Sequence, residues 1–169
     1  MASAGCKAAV MEVSSHALAQ ERTRGLEWDL SVFTNLTEDH LDFHQTMANY
    51  FESKARLFTG LKDQPNKKPA TAVINLDDPY GERIVTRLEH AVPVVTYGMS
   101  ARADFRASNY RVEFSGTSFQ LDARGKIYLV RLPLIGRFNV SNAMAALAAA
   151  TSLGVSLRDA VLSLARSPQ

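Results

Sequence analysis

Cysteine is almost absent from the 169 residues: Cys6 is the only one. A single thiol cannot close an internal disulfide, so the chain is not a disulfide-stapled secreted scaffold. Long apolar runs are absent too, none approaching the ~20 residues that a bilayer span requires. The opening Met1 to Val13 has neither the charged start nor the cleavage pattern of a signal peptide. A reducing, cytoplasmic setting is expected, with no membrane partner. Charge of one sign is lacking as well, since 19 lysines and arginines face 17 acids for a net +2. With no basic run and no basic–aromatic alternation, nucleic acid is not an expected partner. Internal repeats and low-complexity tracts are missing. What remains is a chain with 46% hydrophobic residues, long enough for one sizeable core and too short for several domains.

Short apolar runs of strand length occur at 8–13, 30–35, 71–75 and 92–97, with stretches suited to helix between them. Uniformly apolar runs alternating with helices predict an α/β fold with a mostly parallel, doubly wound sheet covered on both faces. Between Ala103 and Leu134 the pattern changes to alternation around the glycine-containing turn Asp122 to Lys126, which predicts a small antiparallel β region. The expected division of residues 1–169 is therefore a parallel core over about 1–100 and 136–169, with an antiparallel insertion at about 103–134. Asn139 to Ser152 is alanine-rich and predicts a helix with Gly154 as its C-terminal stop. Ser156 with Asp159 forms a capping-box pattern for a last helix ending near Ala165. Leu61 to Ala70 is polar, carries two prolines and reads as a surface loop.

Lys54 lies where a lysine is least expected. Met47, Tyr50, Phe51, Leu57 and Phe58 recur at helical spacing and define an apolar stripe, and Lys54 falls inside it. Burying an ammonium is costly unless it is paired, neutralised or modified. Either the side chain snorkels outward from the stripe's edge, or it serves a site that the helix overlooks. Just upstream, Asn35 to His44 collects carboxylates and imidazoles directly after an expected strand, and Glu12 stands at the expected end of the first one. Doubly wound sheets bind ligands outside the carboxyl ends of their strands. Glu12, His40 and Lys54 could thus converge on one edge. Oxygen-rich sites suit magnesium, and a lysine deprotonated by burial could take up carbon dioxide as a carbamate and become an anionic oxygen ligand.

Three separated words in order carry a specific resemblance. Met11-Glu12-Val13-Ser14-Ser15-His16-Ala17-Leu18, then Phe33-Thr34-Asn35-Leu36 through Asp39-His40-Leu41-Asp42-Phe43-His44, and finally Gly136-Arg137-Phe138-Asn139-Val140-Ser141-Asn142-Ala143 resemble the central, ATP-using domain of the Mur ligases, MurE branch. The resemblance implies an ATP-dependent ligase that adds the third amino acid, diaminopimelate or lysine, to a UDP-N-acetylmuramoyl dipeptide through an acyl phosphate and a tetrahedral intermediate. It implies ATP and Mg2+ as cofactors, with Glu12 and His40 as magnesium ligands and Lys54 as a carbamylated lysine. Asp39 is expected to brace the lysine or the metal's waters. Ser14, Gln20 and Arg22 match positions that contact the UDP-muramoyl dipeptide, while Asn139, Asn142 and Asp77, with Asp78 beside it, are expected near the nucleotide. Ser14 and Asn139 can equally cap helices, and aspartate before proline is an ordinary turn signal. His16, His44 and His90 receive no role.

One departure is large. A phosphate-cradling loop of glycine, four residues, glycine, lysine, then serine or threonine occurs nowhere in the chain. The expectation is a fragment whose N-terminal, phosphate-loop and C-terminal partner segments lie elsewhere in the same enzyme, and which is inactive alone. Competing readings are a folate polyglutamate or cyanophycin-type ligase, a non-catalytic nucleotide or UDP-sugar binding module, and a metal hydrolase using Glu12, His40 and His44.

Overall fold

The computed structural model describes residues 5–65 and 69–166. Six strands form one sheet in the order β1-β2-β3-β4-β5-β6. Strands β1 (Leu30–Phe33), β2 (Thr71–Asn75), β3 (Val94–Gly98) and β4 (Phe105–Glu113) run parallel, whereas β5 (Gly116–Ala123) and β6 (Lys126–Leu132) continue the sheet antiparallel. The mixed sheet agrees with the α/β expectation. Ala72, Val73, Ile74 and Asn75 of β2 are all buried, as expected for a central strand covered on both faces.

The first expected strand does not form. Residues 8–13 are irregular and almost wholly exposed, with Val10 fully open to solvent. A strand needs a ladder partner as well as an apolar run, and this run has none; its pattern alone could not reveal that. Glu12 therefore sits on an irregular lead into a short helix, not at a strand end. The expected loop at 61–70 also differs: Gly60–Asp63 is a 3-10 turn that buries Leu61 in the core, and Asn66 to Lys68 lie outside the described residues.

Helices cover the sheet on two sides. On one, α3 (Met47–Thr59) and α4 (Pro79–Leu88) bury Tyr50, Phe51, Ala55, Phe58, Ile84 and Leu88 against Phe33, Ala72 and Ile74. On the other, α5 (Arg137–Ser152) lays Val140, Ala143, Met144, Leu147 and Ala148 over Val73, Val95, Tyr97, Phe119 and Val130. The period-two alternation of the strands sends successive side chains to these two cores. Two smaller helices, α1 (Ser15–Ala19) and α2 (Leu41–His44), sit beside α3, and α6 (Leu157–Leu164) packs on α5. Ser156 caps α6 as its sequence predicts, accepting from Asp159 N–H at 3.2 Å, and Gly154 takes the left-handed conformation at φ 92° after α5. Among the described residues no helix is long and apolar enough to cross a membrane.

The junction between β3 and β4 is short. Only Tyr97 and Gly98 pair with Phe105 and Arg106, so six residues suffice for a parallel connection that normally needs a dozen or more. Asp104 extends the ladder with its side chain: Thr96 N–H and Thr96 Oγ1 both donate to it at 2.8 Å, and its own N–H donates to Thr96 Oγ1 at 2.9 Å.

Candidate functional site

The parallel register brings the carboxyl ends of β1, β2 and β3 to one edge, since Phe33 lies beside Ile74 and Asn75 beside Tyr97. The backbone leaving β1 there is held by side chains from four other places. Tyr97 Oη donates to Phe33 O at 3.1 Å, Asn75 Nδ2 to Thr34 O at 2.7 Å, and Lys54 Nζ to Asn35 O at 3.1 Å; Leu36 N–H donates to Asp78 Oδ2 at 2.8 Å. Four consecutive residues, from the last of β1 to the third beyond it, are thus each bonded by a side chain from elsewhere in the chain.

Lys54 sits on the inner side of α3 and is half-buried. Its ammonium lies 5.3 Å from the centroid of the Tyr50 ring, a cation–π distance. Burial pushes the amine below the ordinary lysine range, and the carboxylates of Asp78, Asp39 and Glu12 oppose that shift. Desolvation disfavours the charged form, and three acids favour it. His40 borders the same tyrosine, ring centroids 6.1 Å apart. It holds φ at 54°, a left-handed value uncommon for a residue with a side chain. Its N–H donates to Asp39 Oδ1 at 2.8 Å, and its Nε2 lies 3.6 Å from Asp39 Oδ2. Asp39 therefore acts on both His40 and the charge at Lys54. Glu12 is exposed and is felt at Lys54 electrostatically.

His16 and His44, given no role by sequence, complete this corner. His16 on α1 meets His40 edge-on at 4.9 Å and Phe43 at 4.2 Å. His44 is buried, stacks on Tyr50 at 5.0 Å, and hydrogen-bonds through Nε2 to Ser15 Oγ at 2.9 Å. Its contacts tie α1, α2 and α3 together. The hydrolase reading loses its basis, because among the described residues no three histidine, cysteine, aspartate or glutamate side chains are grouped to hold a metal.

Burial lowers the His44 pKa from 6.5, helped by repulsion from His16 and His40 and opposed by Asp42. The folded value lies below the unfolded one, so His44's stabilisation is fully present above pH 6.5 and is lost as pH falls through the lower folded value. Urea unfolding of the chain should show stability declining below pH 6.5, and His44→Gln should flatten that part of the profile. An unchanged slope in the variant would assign the decline to other groups.

The remaining sequence candidates fall as follows. Ser14 is the N-cap of α1, accepting from Ala17 N–H at 3.2 Å, with Gln20 at the helix's other end and Arg22 exposed just beyond. Asp77 spends its carboxylate on the N–H groups of Met99 and Ser100, at 2.8 to 3.2 Å. Asp78 is the N-cap of α4, accepting from Tyr80 N–H at 2.9 Å. Asn139 is not a cap: Gly136 is the N-cap of α5, and Asn139 Nδ2 donates to Ile135 O at 3.0 Å. With Asn142 it lines a cleft of about 140 Å³ against Leu132, Pro133, Leu134 and Leu164, on the sheet face opposite Lys54. Ser141, one residue from Asn142, acts on the Tyr97 phenol, which burial raises well above its usual range. Asn75 and Tyr97 escaped the sequence reading, although an asparagine closing the apolar run Thr71 to Asn75 was a usable signal.

A mostly parallel sheet with helices on both faces, and with charged and imidazole side chains gathered where its parallel strands end, defines an α/β domain with a candidate ligand site at that edge. The chain belongs to the Mur ligase family: the Mur ligase middle domain matches residues 1–150. It is 48% identical over 153 residues to a UDP-N-acetylmuramoyl-L-alanyl-D-glutamate–2,6-diaminopimelate ligase of Geobacter metallireducens, covering 90% of this chain and 30% of that protein. It is 41% identical over 155 residues to the corresponding L-lysine ligase of Staphylococcus haemolyticus, covering 92% and 31% respectively. A solved 2,6-diaminopimelate ligase superposes with a TM-score of 0.82 at 33% identity, over 94% of this chain and 32% of that one. The chain spans about a third of the length of these relatives.

Proposed function

We propose that these residues form part of an ATP-dependent, MurE-type ligase that joins a third amino acid to UDP-N-acetylmuramoyl-L-alanyl-D-glutamate, and that Lys54 acts in it as a carbamate. The observation that carries this reading is the Lys54 amine: half-buried, lowered by desolvation, yet facing Asp78, Asp39 and Glu12. A lysine whose burial favours the neutral form is primed for carbon dioxide. The nitrogen lone pair attacks the carbon, a C–O π bond opens to an oxyanion, and one nitrogen proton passes to water. With the proton that the ammonium gives up first, two protons leave in all, and a cation becomes an anion in place.

That change decides whether a magnesium ion fits. Glu12 and His40 are too few to hold one, and an ammonium at Lys54 repels it; with Lys54 as carbamate the donors become two anionic oxygen groups and an imidazole, a set suited to a hard cation. Bound there, magnesium would offset the negative charge that gathers when a carboxylate attacks the γ-phosphate of ATP. The chain's own groups do the rest. Asp39 orients His40, Asn35 O holds the lysine arm, and Ser14, Gln20 and Arg22 are offered to the anionic peptide substrate. Asn139, Asn142 and Asp77 are offered to the nucleotide, Asp77 through the β3–β4 turn that it ties down. Residues at about 1–100 and 136–169 would serve as the parallel core and 103–134 as an antiparallel insertion, in a cytoplasmic enzyme. Since these residues hold no phosphate loop, turnover is expected of a longer ligase and not of them alone.

Carbon-13 bicarbonate tests the carbamate directly. An adduct resonance should appear in the complete ligase and vanish in Lys54→Arg. A fully active ligase with no adduct at Lys54 under any bicarbonate concentration would defeat the reading.

A further inference from the structure

Asn35 O and Leu36 N–H belong to the same peptide unit. In a trans peptide these two groups point in opposite directions from one rigid plane. One end is taken by Lys54 Nζ at 3.1 Å and the other by Asp78 Oδ2 at 2.8 Å. Rotating the plane to free either end displaces the other. We propose that Asp78 is a positioning residue for Lys54: by holding Leu36 N–H, it turns the carbonyl of Asn35 toward the lysine and fixes where the amine sits. The inference rests on Lys54 being the reactive group of the proposed function, and it adds a residue that the resemblance placed only near the nucleotide.

Asp78 is itself fixed from both oxygens. Oδ1 accepts from Tyr80 N–H at 2.9 Å as the cap of α4, while Oδ2 accepts from Leu36. The carboxylate thus couples the start of α4 to the backbone leaving β1. Asn75 supports the same plane from one residue earlier. Its amide donates to Thr34 O at 2.7 Å and accepts from Asp77 N–H at 2.9 Å, which fixes the preceding peptide. Lys54 is therefore aimed by a carbonyl whose own direction is set from β2 and the β2–α4 turn.

Charge and geometry are separable by substitution. Asp78→Asn keeps a capping oxygen for Tyr80 but presents an NH2 to Leu36 N–H, which cannot accept. Asp78→Glu keeps the charge and moves the oxygens. If Asp78 positions Lys54, both variants should label Lys54 with acetic anhydride several-fold faster than wild type, because the amine is released from Asn35 O. Both should also lower kcat of the complete ligase by about 10- to 100-fold, the range for groups that orient a metal ligand, with KM for ATP and peptide changed less than about threefold. An Asp78→Glu enzyme that matches wild type in both labelling and kcat would overturn the proposal, leaving charge as the only role. Should the variants fold poorly, the wild-type chain still decides: Leu36 N–H must exchange with deuterium far more slowly than the exposed Thr37, and equal rates overturn the proposal. A ligase indifferent to Lys54→Ala would instead refute the proposed function, without touching the labelling result.

Discussion

Lys54→Ala in a ligase carrying this segment is expected to lower kcat by about 100- to 1000-fold, the loss seen when one preorganised electrostatic group is taken from a reacting centre. The side chain sits among buried aromatics, with Tyr50 beneath it and three carboxylates around it. Removing it leaves Glu12 and His40 without the third group of the proposed cation site. Two features distinguish this from a simple packing defect. KM values should move little, since alanine leaves the helix intact and Ala55 and Phe58 still fill the core. Small carboxylates such as formate or acetate should restore part of the rate by supplying the missing oxygen anion. A variant within about threefold of wild type, with no response to added carboxylate, would remove the chemical role assigned to the lysine.

Gly81→Ala is expected to damage the fold severely. Gly81 lies in the first turn of α4, and a Cβ there would stand 1.9 Å from Asn75 O and 3.2 Å from the Ile74 side chain. The obstacle is backbone, which cannot rotate away, and Ile74 is fully buried. Either α4 lifts from the sheet or β2 bends. Overpacking that forces backbone shifts costs typically 1–3 kcal/mol and more where nothing yields, so about 3 to 5 kcal/mol is expected by urea unfolding, a large share of a small domain's stability. A loss under about 1 kcal/mol would mean that the helix entry is softer than its contacts imply. Because Asn75 and Asp78 flank this contact, the variant should also speed Leu36 N–H exchange.

Much of the architecture could be read from spacing. The runs at 30–35, 71–75 and 92–97 became β1, β2 and β3 within a residue or two, because central parallel strands are apolar on both faces and carry that mark in one dimension. Alternation around Asp122 to Lys126 located the antiparallel hairpin because its strands bury one face and leave the other more open. The run at 8–13 misled because strand formation is a property of pairs, and the pairing partner is not encoded in the run. At the site, Lys54 stood out since helical periodicity alone shows that it breaks the stripe. Asp78, Asn75 and Tyr97 did not. Each acts by bonding a backbone group some 40 to 64 positions away, and no local pattern announces a bond to a distant carbonyl. His44 looked like any surface histidine until α1 supplied Ser15 and α3 supplied Tyr50. The capping role at Ser14 was legible and Asp78 read as a turn signal before proline, but a cap that also grips a remote peptide is visible only once the chain is folded.

The stretch that leaves β1 is stiff at its root and bare toward its tip. From Phe33 to Leu36 every residue is anchored, whereas Thr37, Glu38 and Asp39 project into solvent before His40 turns the chain back. This is a cantilever. Its base fixes the direction in which the imidazole is delivered, and its free span can lengthen, shorten or change composition without disturbing either core. Diversification of ligand reach across such domains can therefore concentrate at Thr37 and Glu38, while the anchored root and the Asp39–His40 pair stay constant.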